Sequence, residues 1–109
     1  MEDPTMSEFF FEITRLEDIA EELVDNEEAA KLDGAAKGFR TLANDPSRYG
    51  VANDNYRQWS QTLDNELNLI ETRVSEPNGN PNSAVNELIE SIWKQLSDSQ
   101  KEAFGKSLF

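Results

Sequence analysis

The 109-residue chain carries 22 acidic against 10 basic side chains, a formal charge of −12, and contains neither cysteine nor histidine. The length suits one domain; the missing cysteines exclude disulfides and thiolate metal sites, and the missing histidines remove the commonest general base and metal ligand. The longest apolar run, Phe9 to Phe11, is far too short for a signal-peptide core or a membrane span, so the sequence reads as a cytoplasmic protein of the cell or of a host cell.

The first helix is expected over residues 8 to 25, behind a flexible tail at 1–6, with the domain occupying 7–109. Phe9, Ile13, Leu16, Ala20 and Leu23 recur at spacings of three and four, which is one face of an amphipathic helix, and Ser7 is placed to cap it. Thr14 and Glu17 also have capping-box spacing, and a start there would leave Glu8 to Ile13 extended. No second strand candidate exists to pair with that stretch, which favours the longer helix.

Asn26 is placed to cap a second helix whose first turn holds Glu27 and Glu28, where acids complement the helix dipole. Its apolar stripe is Ala29, Leu32, Ala36, Phe39 and Ala43. Gly34 and Gly38 lie four apart within it, so either another helix packs closely there or the helix breaks.

The turn-rich segment Asn44 to Asp54 leads to a third helix from Asp54 to Val74, with Tyr56, Trp59, Leu63, Leu67, Ile70 and Val74 on one side. Ser75 to Ser83, with two prolines and a glycine, closes it. Ser83 is placed to cap a fourth helix bearing Val85, Leu88, Ile89, Ile92 and Leu96, in which Glu90 and Lys94 have ion-pair spacing. Ser97 and Gln100 form a capping box before a short fifth helix with Ala103 and Phe104, which Gly105 is placed to end. The expected fold is all-α: a small single-domain bundle of four main helices plus a short C-terminal helix.

The chemistry-bearing residues argue against an enzyme and against any cofactor. No phosphate-cradling glycine motif or zinc spacing is present. Glu76 to Glu87 imitates a twelve-residue calcium loop, with Glu76, Asn78, Asn80 and Glu87 at ligand positions, but Pro81 occupies the sixth position, where the sharp turn needs glycine. An Asn/Pro/Gly linker is the expected reading.

Charge location points elsewhere. Residues 1–34 hold twelve acids against Arg15 and Lys31, whereas residues 35–109 hold ten acids against eight bases. Such a surface repels nucleic acid directly, and an acidic helix is the wrong sign for an anionic membrane. It suits a protein partner with a basic surface.

In helical geometry the consecutive phenylalanines turn by about 100° each, so they cannot share one buried stripe. Phe9 joins the apolar face, Phe10 lies at its edge, and Phe11 points toward the side bearing Arg15 and Asp18. The C-terminal segment Ser107 to Phe109, the second helix, a second copy or a partner could cover the outlying rings. Asp18, Glu21, Glu22 and Asp25 lie away from the core, and Glu28 extends their row across the helix break. These five carboxylates span about 15 Å, or about 4 Å each along the axis, close to the roughly 3.4 Å phosphate spacing of one DNA strand.

In charge and size, residues 8–28 resemble phage-encoded decoy proteins that present carboxylates where a nucleic-acid-binding protein expects phosphates. The resemblance implies a DNA mimic. The expected function is that of an acidic, non-enzymatic protein-binding regulator or inhibitor, with Phe10, Phe11, Asp18, Glu21, Glu22, Asp25 and Glu28 at the interface and a nucleic-acid-binding protein as one candidate partner. The alternative is a structural subunit or adaptor, such as a homo-oligomer, whose acidity serves solubility.

Overall fold

The computed structural model describes residues 4–108, which fold into five α-helices with no strand among the described residues. α1 spans Pro4–Glu22, α2 Asn26–Asn44, α3 Asn53–Ser75, α4 Asn82–Gln95 and α5 Asp98–Leu108. No helix among the described residues is long and apolar enough to cross a membrane.

Helix boundaries differ from the sequence reading where capping chemistry is local. α1 begins at Pro4, so Pro4, Thr5 and Met6, expected in the tail, form its first turn, and Thr5 is buried; residues 1–3 of that tail lie outside the described residues. Proline suits a first helical turn, where its missing N–H has no intrahelical partner in any case. The helix passes straight through Ser7 and Thr14. It stops at Glu22 instead of Asp25, because Asp25 adopts an extended conformation and caps α2, its carboxylate accepting the Glu27 amide at 2.9 Å and the Glu28 amide at 3.4 Å. Asn26, the expected cap, is therefore the first residue of α2.

α4 starts at Asn82 behind Pro81, one residue before the expected cap Ser83, and Asn80 accepts the Asn82 amide at 3.0 Å. Because residues 82–87 are helical, the calcium-like segment has no twelve-residue loop. The Ser97–Gln100 box closes as its spacing predicts: the Ser97 amide donates to Gln100 Oε1 at 2.9 Å, and the Gln100 amide to Ser97 Oγ at 3.4 Å. α5 runs past Gly105 to Leu108; a glycine inside a helix costs about 1 kcal/mol but does not end it.

α1 packs against α2 and α3, α3 against α4, and α4 against α2, while α5 lies along α2. One apolar cluster draws on all five helices. At its centre is an aromatic group: Phe9 meets Phe39 edge-on at 5.5 Å and Tyr56 at 4.9 Å, and Phe39 in turn lies 5.4 Å from Trp59 and 5.1 Å from Phe104.

The two glycines of α2 resolve in favour of close packing. A Cβ on Gly38 would stand 2.6 Å from a ring carbon of Phe104, and one on Gly34 would stand 2.6 Å from the Ser107 carbonyl oxygen. α5 thus lies against a strip of α2 where only hydrogen fits. Leu108 reaches Gly34, so the end of the chain leans on α2; Phe109 of the expected Ser107–Phe109 cover lies outside the described residues.

Candidate protein-docking surface on α1

Four sides of α1 have different chemistry. Phe9, Ile13, Leu16 and Ala20 face the core. Toward α2, Glu17 accepts from Arg40 at 2.7 Å. Toward α3, Arg15 binds a fan of acceptors: its Nε donates to Glu71 at 2.8 Å, one terminal nitrogen to Asp64 at 3.0 Å and Glu12 at 3.4 Å, and the other to Asn68. The fourth side, opposite the core, bears Phe11, Thr14, Asp18, Glu21 and Glu22, all exposed, with Phe11 bordering α3.

Phe10 is 37% exposed and Phe11 67%. The Phe10 ring lies at the core's edge, 5.7 Å from Phe9. On an ideal helix Phe11, Asp18 and Glu22 fall within roughly 40° of one another, with about 16 Å between Phe11 and Glu22 along the axis. Asp18, Glu21 and Glu22 engage no base among the described residues, in contrast to Glu12, Glu17, Asp64 and Glu71.

The expected row of five acids does not survive intact. Glu28 is 6% exposed and faces inward: Lys31 Nζ donates to its Oε1 at 3.0 Å and to Asn86 Oδ1 at 2.9 Å, while Glu28 Oε2 has no hydrogen-bond partner. This position, three residues after the cap Asp25, turns toward α4. Asp25 is exposed but occupied, since its second carboxylate oxygen accepts Asn82 Nδ2 at 3.3 Å in addition to the capping bonds. Phe11, Asp18, Glu21 and Glu22 therefore remain together on one helix face, with Phe10 at its edge.

Glu21 and Glu22 occupy the last turn of α1, which contains no base. Carboxylates there oppose the partial negative charge of the helix C-terminus. Just beyond, Val24 on the α1–α2 turn is 97% exposed, an apolar residue between Glu22 and Asp25. The sequence reading places it inside the first helix but off the apolar stripe, whereas α1 ends before it.

Burial pushes the Glu12 carboxyl above its ordinary value, an effect that Arg15 opposes and Asp64 reinforces. Burial, with Glu87 nearby, likewise raises Glu66 on α3. Among the described residues no group of three or more carboxylates is placed to hold a metal ion. No family model matches the chain, and neither a curated protein nor a solved structure matches it.

Proposed function

We propose that the protein is a non-enzymatic acidic regulator or inhibitor that docks the outward face of α1 onto a basic surface of a partner protein. Its scaffold is a bundle of four main helices with α5 as a short fifth, working in the cytoplasm. A nucleic-acid-binding protein is one candidate partner, with the exposed carboxylates of α1 standing in for phosphates.

The observation that carries this reading is the combination of an aromatic ring two-thirds exposed, Phe11, with three unpaired carboxylates on the same helix face. Exposed aromatics act as anchors at protein interfaces, and complementary charge speeds encounter. Phe10 and Val24 extend the apolar part, and Asp25 adds charge while capping α2.

A second reading, a homo-oligomeric subunit or adaptor, is favoured by a different surface. Ala30, Ile89, Trp93 and Leu108 line a groove of about 620 Å³ between α2, α4 and the end of α5. An identical copy seated there would make acidity a matter of solubility.

The test is a pull-down from native-host lysate at low and high salt, with wild type beside D18N/E21Q/E22Q. A partner held at low salt by the wild type alone supports docking through α1. The same partner on both baits, or self-association alone in light scattering, supports the subunit reading.

A further inference from the structure

The α1–α3 seam contains a second recognition element that the row of outward acids does not include. On α1, Ser7, Glu8, Phe11 and Glu12 follow helical spacing; on α3, so do Arg57, Ser60, Gln61 and Asp64. The two sets face each other across a groove of about 530 Å³.

Its walls are acidic and aromatic. Glu8 and Glu12 stand on one side and Asp64 on the other, with the exposed ring of Phe11 at the rim. Arg57 lines one end, its charge met by Asp54 of the same helix at 2.9 Å. Arg15, outside the lining, pairs with Glu12 and Asp64 of the walls and with Glu71. The residues that line the groove thus bring three carboxylates (Glu8, Glu12, Asp64) against one guanidinium (Arg57), a formal charge of −2.

A further observation is independent of charge. Ser60 is 7% exposed, lines the groove, and its hydroxyl has no hydrogen-bond partner. A buried hydroxyl without a partner is costly relative to a satisfied one; its oxygen is closed to solvent, so a donor entering the groove recovers that bond by parting the side chains that line it.

We infer that this groove is a slot for an arginine side chain of the basic partner. The inference rests on the docking function proposed above. A guanidinium suits the groove better than an ammonium. Its plane stacks on Phe11, and its fork reaches a carboxylate and the Ser60 hydroxyl together, whereas a lysine supplies one compact, strongly hydrated charge. The seam already displays this chemistry in Arg15, whose single guanidinium meets three carboxylates and Asn68.

The test uses two probes, nona-arginine and nona-lysine peptides, titrated at low salt into the isotope-labelled protein and followed by NMR. Wild type, Phe11→Ala, Phe11→Leu and D18N/E21Q/E22Q are compared after thermal melts establish that each is folded. The slot predicts that the arginine peptide binds about two- to fivefold tighter than the lysine peptide, with amide shifts at residues 7–12 and 57–64. Both Phe11 variants should lose that preference, since leucine keeps the apolar contact but has no ring face.

Equal affinity for the two peptides in wild type, or an arginine preference that survives Phe11→Ala, overturns the slot. The docking function is judged separately: it stands if D18N/E21Q/E22Q weakens both peptides and falls if that variant binds them as tightly as wild type. Absence of binding by either peptide overturns both.

Discussion

Phe9 and Phe11 stand two positions apart on α1, yet Phe9 is fully buried against Phe39, Tyr56 and Trp59 while Phe11 projects away from the core. A rotation of about 200° along the helix separates a residue that holds the fold together from one that leaves it almost untouched. Phe9→Ala is expected to destabilise the domain by about 3–5 kcal/mol, and Phe11→Ala by no more than about 0.5 kcal/mol. Urea unfolding of the two variants measures the contrast; equal losses would place Phe11 in the core.

Gly38 tests the contact between α2 and α5. Alanine normally strengthens a helix, but here its methyl would press into the Phe104 ring, so Gly38→Ala is expected to lower stability by about 1–3 kcal/mol. Gly38→Ala combined with Phe104→Leu should recover part of that loss. A stabilised single variant would mean that α5 does not lie against α2 at this point.

The end of α1 sets stability against recognition. Replacing Glu21 and Glu22 with glutamine removes two negative charges from a helix C-terminus and should raise Tm by about 2–4 °C. The same change should weaken partner binding. A thermal melt and a binding isotherm on one preparation show whether the two effects run in opposite directions, as expected of acids retained for binding.

Glu12 and Glu66 predict the direction of the pH dependence. Both carboxyls are held above their ordinary value, chiefly by burial. The native state therefore binds these protons more tightly than the unfolded chain, and the native state gains stability as pH falls through the raised values. That gain is complete below the unfolded value near 4.5. Midpoints in urea should be higher near pH 5 than near pH 7, and Glu66→Gln should raise the pH 7 value and flatten the difference. A midpoint that falls steadily from pH 7 to pH 5 would contradict this account.

What the sequence conveyed about the fold was its periodic part. The apolar stripes of α1, α2 and α3 become the core: Leu32, Ala36 and Phe39 are buried, and so are Tyr56, Trp59, Leu63, Leu67 and Ile70. Ser97 with Gln100, and Glu90 with Lys94 at 3.2 Å, pair as their spacing implies. Boundaries were less legible because several residues compete for each cap. Asp25 and Asn26 are both good caps, and the choice of Asp25 shortens α1, breaks the row of acids and carries Glu28 inward.

The candidate surface was legible only along one helix. Heptad position placed Phe11, Asp18, Glu21 and Glu22 on a common outer face, since that requires α1 alone. The groove with α3 was not legible. Its two walls are about fifty residues apart in sequence, and neither the helix pairing nor the unpartnered hydroxyl of Ser60 leaves a periodic trace.

If the outward face of α1 is a charged docking surface, affinity for the captured partner must depend on salt concentration and on the acids of that face. Wild type and D18N/E21Q/E22Q should differ at least about tenfold in Kd at low salt, mainly through association rate, and converge as salt screens the charges. Equal affinity of the two proteins at low salt would contradict the claim and leave the acids of α1 a role in solubility alone.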